Sequence, residues 1–144
     1  MPAYADTSFI MALYHSDALA SRAATYMARH TEPLILTAVQ DTEVRNASRL
    51  RVAQQHSSSE EAFRALAYFD RDINDGIYVY HRPDWPEVFR LLERISQKYT
   101  ESGAYRLVDL MHVACALTIR ATLFLSFDKK QAGLARTLGL KTPF

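Results

Sequence analysis

Four acidic residues lie along the chain at positions that favour a shared site: Asp6, Glu43, Asp109 and Asp128. Asp6 and Asp128 each follow a short apolar run that predicts a β-strand. Because sites in parallel α/β sheets form at the carboxyl ends of strands, we expect these two side chains to lie close together. Asp109 lies near the start of a predicted helix that is apolar nearly all round, so its carboxylate should be buried or half-buried. A buried carboxylate must be protonated or must hold a cation.

Each of these acids also has an ordinary structural interpretation. Asp6 and Asp128 are suitable helix N-caps, and Asp109 could bond the free backbone amides of its own first helical turn. Glu43 could be a solvated helix acid or an ion-pair partner. Asp41 competes with Glu43 for the inward position, because residues two apart on a helix point to nearly opposite faces.

Together, the four acids predict a site for a hard divalent cation. Carboxylates gathered at one sheet edge repel one another and raise each other's pKa values. Mg²⁺ or Mn²⁺ relieves this repulsion and prefers oxygen ligands. No His or Cys cluster offers a competing zinc site. Carboxylate-bound Mg²⁺ usually acts on phosphate esters, where it neutralises non-bridging oxygens and activates a water for in-line attack.

The elements that must position the acids are read from alternating apolar and amphipathic segments. Strands are predicted at Ala3–Ala5, Leu34–Leu36, Ile77–Tyr80 and Leu123–Leu125, with an edge strand in Leu140–Phe144. One helix is predicted to start at Thr7 or Ser8, and a second is predicted after His15, with Ser16 or Asp17 as its cap. Further helices are predicted at Thr37–Val52, Ser59–Asp70, Pro86–Tyr99, Arg106–Arg120 and Lys129–Leu138. This alternation predicts an α/β fold with a mostly parallel sheet and helices on both faces.

The composition is that of an ordinary globular protein. The chain has 144 residues, 49% of them hydrophobic and 23% charged, which predicts a single domain over residues 1–144. A net charge of +1 creates no global field that recruits nucleic acid, so such binding needs local patches. The lone Cys115 should be a small buried hydrophobe and fits a reducing cytoplasm. We expect neither a signal peptide nor a membrane span, and therefore a cytoplasmic protein.

The segments around the acids resemble those of the PIN-domain nucleases, specifically the VapC-type toxins of bacterial and archaeal toxin–antitoxin pairs. The matching segments are Ala5–Ser8, Thr37–Ala38 with Glu43–Ala47, Arg106–Ala116 and Phe124–Leu140. They fall in the family's order and spacing and cover essentially the whole chain. A single segment is unspecific, whereas the ordered set is typical of the family.

The resemblance implies a three-layer α/β/α sandwich and a metal-dependent endoribonuclease that leaves 5′-phosphate and 3′-hydroxyl ends. It carries over Asp6, Glu43, Asp109 and Asp128 as the catalytic quartet that binds Mg²⁺ or Mn²⁺. Thr7 and Ser8 would support this site, with Ser8 bonding a metal-site water or Asp6. The implied partners are an RNA substrate, a cognate antitoxin whose C-terminal segment binds a groove of the early helices, and a second copy through the sheet-edge region. The homodimer with antitoxin would form a heterotetramer or a larger assembly.

Further residues are candidates for supporting roles. His112 lies one turn after Asp109 and could support a metal-binding carboxylate, but a core histidine bonded to backbone is the favoured interpretation. Arg106 could hold an RNA phosphate or pair with an acid of the quartet. Lys129 and Lys130, with Gln131 as a weaker candidate, could contact the RNA backbone, although surface lysines usually form a solvated helix face.

The sequence is also compatible with other functions. A phosphatase with Asp6 as nucleophile usually carries a second Asp two residues later, where this chain has Ser8. A non-catalytic module could use the acidic pocket to dock a partner. A PIN nuclease could also act on DNA or in rRNA processing, although the short chain favours a toxin. Seven aromatic residues are interpreted as core or protein interface rather than as an RNA-stacking platform: Phe63, Tyr68, Phe69, Tyr78, Tyr80, Trp85 and Phe89.

Overall fold

A four-stranded parallel sheet forms the centre of the computed structural model, which describes residues 1–144. The strands are β1 (Ala3–Ala5), β2 (Leu34–Leu36), β3 (Tyr78–Tyr80) and β4 (Leu123–Leu125). Their order in the sheet is β3-β2-β1-β4, and every neighbouring pair is parallel. All four carboxyl ends therefore meet at one edge of the sheet.

Seven helices surround the sheet. They are α1 (Thr7–Tyr14), α2 (Ala20–Met27), α3 (Ala38–Ala53), α4 (Ser59–Asn74), α5 (Trp85–Gly103), α6 (Leu107–Thr118) and α7 (Lys129–Thr137). The predicted α/β/α sandwich with a central parallel sheet is confirmed. The sheet is parallel throughout its four strands, because each strand is followed by at least one helix that returns the chain to the opposite edge.

Alternation along the strands divides the core between the two faces of the sheet. Tyr4, Ile35 and Phe124 belong to one core cluster together with residues of α5, α6 and α7. The neighbouring strand residues, such as Ala5 and Leu36, belong to a second cluster with residues of α1 to α4. Burial on both faces explains why the strands read as continuous apolar runs in the sequence.

The structure corrects several predicted boundaries. The second helix begins at Ala20, and Asp17 does not cap it; its carboxylate accepts a hydrogen bond from the Leu19 amide instead. The predicted edge strand in Leu140–Phe144 is reduced to one parallel bridge between Leu123 and Lys141. Helix α4 extends beyond Asp70 to Asn74 because Ile73 still packs against the second core cluster.

Cys115 is buried and free, as predicted. Burial raises the pKa of its thiol to about 12, so the group behaves as a small hydrophobe and not as a nucleophile. None of the helices combines the length and the apolar character that crossing a bilayer requires.

Candidate active site

Four different elements carry the four predicted acids. Asp6 follows β1 directly and is the N-cap of α1, and Asp128 follows β4 by three residues and is the N-cap of α7. Glu43 lies in the second turn of α3, which begins after β2, and Asp109 lies in the first turn of α6. Because β1, β2 and β4 are adjacent and parallel, three of the acids come from neighbouring strand-to-helix junctions.

Asp6 is almost completely buried, with 1% of its surface exposed. One carboxylate oxygen accepts hydrogen bonds from the Ser8 hydroxyl at 2.6 Å and from the Phe9 amide at 3.0 Å. The other oxygen accepts a short hydrogen bond from the Ser126 hydroxyl. Burial raises the pKa of Asp6 even though these hydrogen bonds oppose the shift. A carboxylate in this position gains strongly from any nearby cation.

The two serine hydroxyls also join two separate turns. The backbone amide of Phe127 donates to Ser8 Oγ, and the amide of Asp128 donates to Ser126 Oγ, both at 3.0 Å. Because these oxygens accept from backbone amides, their own protons are free to point at Asp6. The turn after β1 and the turn after β4 are thereby fixed relative to each other. The expected bond from Ser8 to Asp6 is present.

Ser126 is a site residue that the sequence interpretation missed. Its hydroxyl is the second hydroxyl that donates to Asp6, and it also accepts from the backbone amide of Asp128. The available signal was its position: it is the first polar residue after β4, at the same sheet edge as Asp6.

Glu43 is held by a histidine buried beneath it. His112 Nε2 contacts Glu43 Oε2 in a short hydrogen bond, and His112 Nδ1 lies 2.9 Å from the Tyr4 hydroxyl. An ionised carboxylate can only accept, so Nε2 donates to Glu43, and the Tyr4 hydroxyl is the partner of the other ring nitrogen, Nδ1. Burial raises the pKa of Glu43, but the hydrogen bond and charge of His112 more than offset this, and the net pKa is lowered.

His112 is therefore not the core histidine bonded to backbone that the sequence favoured. Its ring is 2% exposed and contacts side chains from other elements, with Thr7 Oγ1 a third neighbour at 3.3 Å. Tyr4, which anchors the ring from β1, was not foreseen, because a tyrosine in an apolar strand looks like ordinary core. Asp41 points elsewhere and pairs with Arg45, as expected if only Glu43 faces the site.

Asp109 is paired with Arg106 at the start of α6. The guanidinium Nε and a terminal nitrogen lie 3.2 and 3.3 Å from the two carboxylate oxygens. This hydrogen bond and the charge of Asp109 raise the pKa of Arg106, with smaller contributions from Glu43 and Asp128. One exposed guanidinium thus lies within the field of three of the four acids. Of the two roles considered for Arg106, pairing with an acid is the one present.

Asp128 has a capping role in addition to its place at the site. One of its oxygens accepts from the backbone amides of Lys130 and Gln131, both at 3.0 Å. The Gln131 side chain donates to the Asp109 carbonyl, which ties α7 to α6 beside the acids. Both lysines are exposed, but Lys130 Nζ already donates to the Ala104 carbonyl. Lys129 is thus the better placed of the two lysines to meet a ligand.

The donor chemistry fits a hard divalent cation, but the acids do not form a closed metal-binding cluster. No group of three or more His, Cys, Asp or Glu side chains is placed to hold a metal ion. Each carboxylate instead accepts from a protein donor, such as the Ser8 hydroxyl or the Arg106 guanidinium. All four acids offer oxygen ligands, which Mg²⁺ and Mn²⁺ prefer.

Three solved structures are similar to the chain in fold. VapC20 of Mycobacterium tuberculosis, described as a sarcin-ricin loop cleaving toxin, has a TM-score of 0.63 and 17% identity over 91% of this chain and 93% of that one. FitAcB from Neisseria gonorrhoeae has a TM-score of 0.64 and 13% identity over 97% and 95%. PAE2754 from Pyrobaculum aerophilum has a TM-score of 0.53 and 13% identity over 99% and 89%.

Sequence comparison gives the family. No curated protein shows a significant match to the chain. The family model described as the PIN domain matches residues 3–137, a range that includes all four acids. PIN domains are nucleases, which supports a hydrolase activity. The chain belongs to the PIN domain family.

Proposed function

We propose that the protein is a Mg²⁺- or Mn²⁺-dependent endoribonuclease and the toxin of a VapBC-type toxin–antitoxin pair, acting in the cytoplasm. The proposal rests on one observation: Asp6, Glu43 and Asp128 lie where three adjacent parallel strands of the PIN-domain sheet lead into helices, with Asp109 in the first turn of α6. A cation bound by these carboxylates would lower the pKa of a water and neutralise the scissile phosphate.

The protein's own residues would bind and orient the RNA. Arg106 is 75% exposed, so its guanidinium can exchange Asp109 for a phosphate oxygen at little structural cost. Lys129 adds a positive charge next to Asp128. The serine hydroxyls that fix Asp6 keep the most buried acid in one orientation, which serves the positioning that phosphoryl transfer requires.

Cleavage of a folded RNA tests the enzymatic part of this proposal. We expect the purified protein to cut it into fragments with 5′-phosphate ends in Mn²⁺ or Mg²⁺ and to leave it intact in excess EDTA, because the acids need a cation to act on phosphate. Gel electrophoresis with 5′- and 3′-labelled RNA measures the products. Absence of cleavage in both metals would favour a non-catalytic acidic pocket, and equal cleavage in EDTA would exclude metal dependence. A DNA of the same sequence tests the DNA alternative.

The toxin role is supported by the fold shared with VapC20, and induced expression in a bacterial host tests it. We expect growth to stop within the first generations after induction of the wild type and to continue with Asp109→Asn, because the arrest depends on RNA cleavage. Culture density and immunoblots at matched protein levels measure this. Continued growth with the wild type, together with cleavage in vitro, would favour a housekeeping nuclease that acts in rRNA processing.

Exposed apolar side chains support the proposed partners, a second copy and an antitoxin. The edge strand β3 exposes Val79 by 45% and Tyr80 by 51%, which suits pairing through the sheet edge. Phe63 of α4 is a further exposed apolar side chain available for such a contact, with 77% of its surface exposed. A cavity of about 350 Å³ lies between the ends of α1 and α2, residues 30–33 and the end of α4, and its apolar lining, which includes Leu13 and Met27, suits an antitoxin segment.

A further inference from the structure

A second cavity opens beside the acids and has a different character from them. It is a groove of about 530 Å³ between α3, α6 and the start of α5. Its apolar lining includes Val39, Trp85, Val108 and Met111, and Glu43 forms part of its wall. This volume lies within the range of small-molecule and cofactor sites.

The geometry of α6 makes this groove continuous with the acidic site. On α6, Val108 and Met111 each directly precede a site residue, Asp109 and His112. Residues three apart lie on one helix face, so the apolar pair and the polar pair form adjacent columns on α6. A ligand that spans both columns therefore contacts an apolar groove and a charged site at the same time.

Two polar side chains of α3 complete the groove. Thr42 and Asn46 line it and are exposed, four residues apart on the same helix face. An asparagine amide offers donors and an acceptor together, which is the pattern that pairs with the polar edge of a base. An apolar surface with an aromatic ring and a polar rim suits a flat heterocycle.

We propose that this groove binds one unpaired nucleobase next to the scissile phosphate, with Trp85 as the apolar contact and Asn46 as the residue that discriminates between bases. The proposal rests on the proposed ribonuclease function and adds its base specificity. A single-stranded RNA offers what the two columns require: a phosphate beside the acids and Arg106, and a base one step away. None of the large exposed apolar side chains lines the groove, which argues against a protein-docking surface.

Trp85 provides a direct readout because the chain contains a single tryptophan. We would titrate the protein in EDTA and low salt, where no strand is cut, with each of the four homo-hexaribonucleotides. Binding is followed in parallel by anisotropy of labelled hexamers. We expect the fluorescence emission of Trp85 to change and to saturate at the same hexamer concentrations as the anisotropy. The size of the change or the affinity should differ among the four bases.

Substitution of Asn46 tests the discriminating role. We expect Asn46→Ala to reduce the preference for the favoured base about ten-fold, which is the size of one good base contact. The same variant should change the preferred cleavage site in the metal-activated assay. Asn74→Ala, an exposed asparagine at the end of α4, is the matched control and should change neither measurement.

Several outcomes would overturn the groove proposal. Unchanged Trp85 emission at hexamer concentrations that saturate anisotropy would place the base elsewhere, even if cleavage proceeds. An emission change on dilution without RNA, accompanied by a change in mass, would identify the groove as a contact between two copies. An unchanged base preference in Asn46→Ala would remove its discriminating role. Absence of both hexamer binding and metal-activated cleavage would reject the proposed function as well.

Discussion

Asp109→Asn is expected to lower the cleavage rate about 100- to 1000-fold or more while leaving the protein folded. The amide keeps the shape of the side chain but removes the charge needed to hold a cation and to stabilise the transferring phosphate. Asp109 is the acid best suited to this test, because its carboxylate pairs with Arg106, which is 75% exposed. The Asp109 side chain itself is 14% exposed, and the amide keeps its shape, so loss of this ion pair is expected to cost about 1 kcal/mol of stability. Single-turnover cleavage and thermal unfolding measure the two effects.

A matched control separates lost catalysis from lost ion pairing. Asp70→Asn removes another carboxylate that pairs with an arginine: Asp70 lies on the surface of α4 and contacts Arg45 of α3. It makes the same chemical change away from the sheet edge, so cleavage should stay within about two-fold of wild type, as expected for a surface substitution away from the site. Full activity in Asp109→Asn would remove this acid from the proposed quartet. Equal losses in both variants would point to a general effect of charge.

Asp6 shows how far the sequence could lead. Its position after an apolar run predicted a strand end, and parallel strands bring such ends to one edge of the sheet. The same logic placed Asp128, and the apolar character of α6 predicted a shielded Asp109. These inferences succeed because backbone pattern and topology decide them. The identity of the second hydroxyl that donates to Asp6, that of Ser126, depends on side-chain distances between two turns that lie 120 positions apart in the sequence.

His112 shows where sequence interpretation fails. Spacing placed it on the same face as Asp109, which is correct, but spacing cannot say which strands and helices pack over that face. The fold brings Tyr4 of β1 and Glu43 of α3 to its two ring nitrogens. Tertiary packing thus decides that His112 bonds side chains and not the backbone. The same limit applies to the capping of α2, where Asp17 bonds a nearer amide than the one predicted.

His112→Leu is expected to destabilise the protein by about 2–4 kcal/mol, the largest stability effect among these predictions. Leucine fills much of the space but leaves the Tyr4 hydroxyl without its partner. Tyr4 is completely buried, and burial already raises the pKa of its hydroxyl well above the ordinary value. Glu43 loses its donor in the same substitution. Urea unfolding followed by circular dichroism measures the change.

A double-mutant cycle with Tyr4→Phe identifies the cause of this loss. Tyr4→Phe removes the hydroxyl that His112→Leu would leave unpaired. The loss of unfolding free energy in the double variant should therefore be about 1–2 kcal/mol smaller than the sum of the losses in the two single variants. Strict additivity would show that the Tyr4–His112 contact contributes little and that cavity effects explain the destabilisation. Cleavage adds a second readout: Tyr4→Phe keeps the contact between His112 and Glu43 and should retain most activity, whereas His112→Leu frees Glu43 and should not. The buried ring would then act by positioning an acid of the sheet edge, in addition to filling the core.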